Sequence, residues 1–218
     1  MGACRCKVSA DIAVPTSRIP EGGRLSTYLL WSFGVGVAFF TIYPALNWLT
    51  SLRSWRLHLY FPAELAIPFV PELVWAYASM YVLFAMPLFF LPAKRMPALG
   101  RQLIAGSILS GVCFLLFPAE LGFARAIPTR EPYMSLFTSM FGVDHPYNLV
   151  PSLHVIYSVA IVLACADCAR PPVRALLWSW LAVIVASTVL VHQHHLLDLV
   201  VAFAIVHFLR RRYEGVPC

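Results

Sequence analysis

The sequence predicts an all-α fold, a six-span transmembrane helical bundle with its N- and C-termini in the cytoplasm. Three observations lead there. Hydrophobic residues make up 60% of the 218 and charged residues only 12%, about half the charge of a typical soluble domain. Apolar runs recur along the chain between short polar breaks, and a spanning helix needs roughly 20 mostly apolar residues. Twelve of the 16 Lys and Arg fall in alternate connections, and cytoplasmic loops carry the basic excess.

Residues 1–26 are expected to be a cytoplasmic segment; residues 1–27 hold no apolar core of the kind a cleaved leader needs. The membrane domain is expected over 27–212, with 213–218 as a cytoplasmic tail. Its first span runs from about Thr27 to Leu49, with Pro44 near the far end. Residues 51–60 alternate aromatic, basic and aliphatic side chains, which suits a short interfacial segment. The second span covers about Val70 to Leu91, with Pro68, Pro71 and Pro87 at or near its ends. A tight basic loop (Lys94, Arg95, Arg101) leads to a third span, Leu103 to Phe117. Residues 118–151 hold five prolines and are expected to form one long loop; loops of that length in a compact bundle are usually functional. The last three spans are Ser152 to Ala169, Val173 to Val191 and His194 to Leu209. No repeat, low-complexity tract or second domain is visible.

The net charge of +6 does not point to nucleic acid. The basic residues sit in short clusters between apolar runs, a pattern that orients helices and makes no groove for a polyanion. The six cysteines are not expected to form a disulfide framework, since five lie at the termini or on the face assigned to the cytoplasm. With six spans, the 118–151 loop and the turn at 191–195 both face outward.

Those two outward segments carry the polar residues that an apolar bundle has least reason to keep. His194 to Leu209 is only ~24 Å long at helical rise, short of the ~30 Å hydrocarbon core, so His194 is expected at the outer rim with Asp198 about 6 Å deeper. An unpaired carboxylate at Asp198, among leucines and valines, would cost about 2.5–3.5 kcal/mol on the lenient insertion scale. A histidine partner relieves that cost and fixes which ring nitrogen is free, and the free nitrogen is then a nucleophile. Residues four apart share a helix face, which brings His194 to Asp198. His195, three residues away, reaches as well, so spacing on a helix alone leaves the partner open. The plainer alternative makes Asp198 a helix cap and His192, His194 and His195 interfacial polar residues.

Pro151-Ser152-Leu153-His154 is the complementary half, a helix start. Free N–H groups at a helix N-terminus suit an anion, and His154 on the first turn is placed to protonate a leaving oxygen. Alone, the motif also reads as an ordinary helix start.

At these residues the chain resembles the type 2 phosphatidic acid phosphatase superfamily. Pro151-Ser152-Leu153-His154 matches its second signature, Pro-Ser-x-His. Ser187-Thr188, five residues, His194, three residues and Asp198 match its third, Ser-Arg-x5-His-x3-Asp, in all but the Arg. The resemblance covers most of 27–212 and selects His194 over its neighbours. It implies a phosphohistidine at His194, oriented by Asp198, with His154 protonating the departing alcohol and Ser152 holding a phosphate oxygen.

The first signature, Lys-x6-Arg-Pro, is not matched: Arg125-Ala126 is nearest, with Pro118 where Lys belongs. With Thr188 replacing the Arg of the third, two phosphate-clamping cations are absent. The branch containing inositol phosphorylceramide synthase, sphingomyelin synthase and their bacterial relatives also lacks them, and Ile67–Pro71 and Asp144–Asn148 look more like that branch. Arg125 is the expected replacement clamp, with Arg130 second, since phosphate in a low-dielectric site needs cations. Asn148 is expected either to donate to substrate or to build the turn. Arg53 and Arg56 are expected to anchor the interfacial segment, and His58, His145 and His207 to be structural.

The expected function is a lipid phosphate phosphatase or phosphotransferase with its active site toward the periplasm, lumen or exterior. Its partners are the bilayer and a lipid phosphate or phospholipid, with no nucleic acid. No cofactor and no metal are expected, since the outer loops lack the carboxylate cluster Mg²⁺ prefers. The rival expectation is a non-catalytic bundle, a scaffold or lipid translocator that keeps the shell of the site.

Overall fold

A computed structural model describes residues 21–213; most of the expected N-terminal segment and nearly all of the tail lie outside them. The described chain is helical, without a strand. Three helices are long and apolar enough to cross a membrane: α1 (Glu21–Ser51), α5 (Met96–Leu116) and α8 (Pro171–Leu190).

The second expected span is not one regular helix. It comprises a 3₁₀ turn at Pro71–Leu73, then α2 (Val74–Ala78), α3 (Met80–Leu83) and α4 (Met86–Phe90). The backbone tightens at Ser79, where the Val82 amide bonds the Ser79 carbonyl, and again where Leu88 bonds Ala85. Two local causes are visible. The Ser79 hydroxyl donates to the Ala76 carbonyl at 2.6 Å, a side-chain bond that competes with the helical ladder. Pro87 has no N–H to give residue 83.

Helix α5 begins seven residues earlier than expected. Met96, Leu99, Gly100 and Leu103 are all buried, so the apolar stripe continues past Arg101, whose exposed side chain occupies the other face. The long loop also contains a helix, α6 (Tyr133–Val143). Tyr133, Leu136, Phe137, Met140 and Phe141 share one stripe, which packs on Phe69, Val74, Tyr77 and Val191. The flanking prolines hide this period-3.6 pattern.

Helices α7 (Leu153–Cys168) and α9 (Leu196–Tyr213) complete the set. Helix α7 is buried nearly all round at its first half and contacts α3, α4, α5, α8 and α9, which makes it the axis of the bundle. Helix α1 packs mainly on α5 and leaves Leu29, Leu30, Phe33 and Phe40 exposed.

The two ends of the bundle differ in chemistry. At one end Arg95 and Arg210 both meet Asp167, each at 3.0 Å. Cys113 and Cys165 are free. At the other end the chain is cross-tied: Leu57 to Pro118, Val70 to Leu190, and Ser152 to Asp198, all by backbone bonds. Both histidine motifs lie at that second end.

Candidate active site

Ser152 is the N-cap of α7, and its Oγ accepts from the Val155 amide at 3.3 Å. Helix α7 therefore starts at Leu153, with Pro151 ahead of the cap and His154 second in the first turn. Ser152 is fully buried. Among the described residues its hydroxyl donates no hydrogen bond, which leaves a donor for an anion.

His194 precedes its helix. Helix α9 starts at Leu196, so His194 and His195 lie in the turn and Asp198 in the first helical turn. Asp198 uses one oxygen twice: Oδ2 lies 3.0 Å from His194 Nδ1 and accepts the His195 amide at 2.9 Å. The second contact is half of a capping box, an acidic third residue reaching back to the capping residue's N–H. Asp198 thus caps α9 and pairs with His194 through the same oxygen. A carboxylate only accepts, so Nδ1 of His194 carries the proton and Nε2 presents its lone pair. Among the described residues no hydrogen bond engages that Nε2.

His195 has a different role, which settles the choice that spacing left open. Its Nε2 accepts the Gly122 amide at 3.1 Å, and its Nδ1 lies 3.2 Å from Glu64 Oε2. Its ring is sandwiched between Tyr60 and Phe123, at centroid distances of 4.6 and 4.4 Å. Burial pushes its pKa below the ordinary value, against the pull of Asp198 and Glu64, as the acceptor role of Nε2 requires. A Cβ at residue 122 would run into the Tyr60 ring, so only glycine lets this loop reach the imidazole. Burial alone would raise the Glu64 carboxyl, but the amides of Leu196 and Phe61 and the His195 ring outweigh it, and the net shift is downward.

His154 stacks on Tyr77 at 3.9 Å, and its Nε2 is buried without a partner. The backbone bond from Ser152 N to Asp198 O, 3.2 Å, ties the two motifs together.

Around this pair lies a polar network that the sequence left unassigned. The Asp144 carboxylate accepts from Tyr43 at 2.7 Å and Asn47 at 2.9 Å. Burial raises its pKa, against the hydrogen bond from Tyr43 and the charges of Arg125 and His194. Arg125 is not a free clamp. Its Nη1 donates to the carbonyls of Asp144 at 2.7 Å and Phe141 at 3.4 Å, and its guanidinium covers the Phe141 ring. Its Nε is buried without a partner. Asn148 is buried, and one end of its amide meets Thr50 Oγ1 at 2.9 Å while the other end has no partner. Arg130 is exposed, and its side chain makes no hydrogen bond among the described residues. Arg56 sits 3.6 Å over the Tyr147 ring, beside the second motif, which its expected role as an interfacial anchor did not foresee.

Thr188 is buried, and its carbonyl receives the amides of Gln193 and His194, each at 3.0 Å. Among the described residues no group of His, Cys, Asp or Glu is arranged to hold a metal. No family model, no curated protein and no solved structure matches this chain.

Proposed function

We propose that the chain is a six-span membrane enzyme that moves a phosphoryl-type group on a lipid substrate at the extracytoplasmic face, as a phosphatase or a phosphotransferase. His194 Nε2 attacks phosphorus; the P–N bond forms as the bond to the lipid oxygen breaks, and His154 gives its proton to that oxygen. Water or an alcohol then attacks phosphorus and passes its proton to His154, and the P–N bond breaks to restore His194. Asp198 holds the His194 ring in the attacking tautomer. Ser152, Asn148 and Arg125 Nε are the unfilled donors for the phosphoryl oxygens; Arg130 is left to the lipid headgroup region.

The observation that carries this reading is a pair of buried imidazoles, one oriented by a carboxylate and one with an unpartnered nitrogen, at helix starts joined by a backbone bond. A structural histidine gains nothing from an unpaired buried nitrogen, and neighbouring His195, with both nitrogens engaged, is the contrast. The resemblance to the phosphatidic acid phosphatase superfamily supports the same assignment.

The basic residues gathered at the Arg95–Asp167–Arg210 end support cytoplasmic termini. Membrane-impermeant maleimide labelling of single cysteines at Arg211 and at His58 decides the side. The catalytic test is release of phosphate from phosphatidic acid by His154→Ala and His194→Ala proteins that still insert. Both are expected to be inactive; retained turnover in either leaves the non-catalytic bundle as the reading.

A further inference from the structure

Helix α1 turns apolar side chains outward along most of its length, yet its last turns carry a buried polar stripe. Tyr43, Asn47 and Thr50 stand at i, i+4 and i+7 on one face. Asn47 is 4% and Thr50 0% exposed, while Trp48 and Leu49 between them are 62% and 40% exposed. The stripe reaches one short segment, residues 144–148. Tyr43 donates to Asp144 Oδ1 at 2.7 Å. Asn47 Nδ2 donates to the same oxygen and to the His145 carbonyl, each at 2.9 Å, and Asn47 Oδ1 accepts the His145 amide at 3.0 Å. One side-chain amide thus takes both the N–H and the C=O of His145, as a neighbouring strand would. Thr50 Oγ1 meets the Asn148 amide at 2.9 Å.

That segment carries or braces two of the donors assigned to the phosphoryl oxygens. Asn148 is one of them. Arg125 is the other, and its Nη1 rests on the Asp144 carbonyl at 2.7 Å, so the place of its Nε follows that of residue 144. At the far end of the same stretch, the Ser152 amide is tied to Asp198. The stretch is anchored to α1 on one side and to α9 on the other. Helix α1 itself is seated closely on α5: a Cβ built at Gly111 would come within 2.8 Å of Leu46 and 2.9 Å of Ile42, the neighbours of Asn47 and Tyr43.

Apolar partners of the same shape would pack about as stably as this stripe. What a satisfied buried network adds is a fixed geometry. Within residues 43–50 and 144–148, the one buried side-chain donor without a partner is the Asn148 amide nitrogen. From these observations we infer that the first span positions the phosphate donors: Asn47, with Tyr43 and Thr50 beside it, sets where Arg125 Nε and Asn148 stand, without touching substrate. Asn47 is a positioning residue, a role that rests on the proposed function because Arg125 and Asn148 are assigned there. A displacement of about 1 Å, made away from the chemistry, costs on the order of 100-fold in rate.

The full chain in detergent is compared with Asn47→Leu, which has a similar outline and makes none of the three bonds. Thr50→Val, which loses only a hydroxyl, decides should the first fail to fold. Thr41→Val, on the exposed face of the same helix, is the control. The readouts are kcat and KM on phosphatidic acid, and the rise in melting temperature on adding vanadate, which reports oxyanion binding whether or not turnover occurs. Both stripe variants are expected to lower kcat roughly tenfold to a hundredfold with KM moving less, since these donors act mainly in the transition state. The vanadate shift should shrink with kcat, and Thr41→Val should leave both at the parental values. Stripe variants that melt lower but keep the parental kcat and vanadate shift would reduce the stripe to packing and overturn the inference. A parent without turnover, whose vanadate shift is lost in the stripe variants, would uphold the positioning role and sink the catalytic reading instead. A parent with neither turnover nor a vanadate shift overturns both.

Discussion

The amide of Ser152 donates to the carbonyl oxygen of Asp198 at 3.2 Å. The cap of α7 and the first turn of α9, 46 positions apart in the sequence, are thereby fixed on one another, and with them the two imidazoles. The same Asp198 turns its carboxylate to His194 and its backbone to Ser152, so one residue sets both the tautomer of His194 and the register of the helix start that carries His154.

That double use makes Asp198→Asn informative. The amide oxygen of Asn can still accept at both contacts, but without the negative charge it holds the proton on Nδ1 less strongly. A flipped amide would favour the other tautomer, so the tautomer preference of His194 weakens. Turnover of phosphatidic acid should fall about 10²–10⁴-fold. The loss of stability should be only about 1–3 kcal/mol, read by thermal melting in detergent. Unchanged turnover would remove Asp198 from the mechanism.

His194 and His195 should separate cleanly. His195→Ala removes a sandwiched ring and leaves Glu64 buried with one partner fewer, at a cost of about 2–4 kcal/mol. Melting should drop markedly while the folded fraction still forms a phosphoenzyme. His194→Ala should do the reverse, melting near the parent and forming none.

Glu64 predicts a pH dependence. Its carboxyl lies below the ordinary value of 4.5 in the folded protein. A depressed acid contributes stability that is present above its unfolded pKa and is lost as pH falls through the folded one. Melting temperature should therefore decline below about pH 4.5, and more steeply for the parent than for Glu64→Gln. Parallel profiles for the two proteins would contradict the bonds to Leu196, Phe61 and His195.

Two arginines in the same loop should behave differently. Arg125 is half-enclosed, holds the end of α6 and keeps Nε unengaged; Arg125→Ala should lower kcat/KM roughly tenfold or more. Arg130 is exposed, and Arg130→Ala should stay within about twofold. Steady-state kinetics on phosphatidic acid decides, and equal losses would refute the assignment.

Much of this arrangement was legible in the sequence because burying polar groups in an apolar chain is costly and therefore conspicuous. Asp198 among leucines announced a partner, and Pro151-Ser152 announced a helix start. Other features depended on contacts that no spacing reveals. Whether His194 or His195 met Asp198 hinged on the helix starting at Leu196, after both, and on Gly122 and Glu64 occupying His195 first. Helix α6 was masked by the prolines around it, although its apolar period was present. The breaks in the second expected span came from a serine hydroxyl at Ser79 and from Pro87, residues that also occur inside unbroken helices. Asp144, Tyr43 and Asn47 gave no local sign of converging, since they lie about 100 positions apart.

The measurement that bears most directly on the account is the site of phosphorylation after rapid quenching with labelled phosphatidic acid at alkaline pH. The account predicts an acid-labile phosphate on Nε2 of His194 in the parent protein, strongly diminished when His154 is replaced and absent when His194 is replaced. Label on no histidine, or on His195 or His192 with His194 intact, would contradict it.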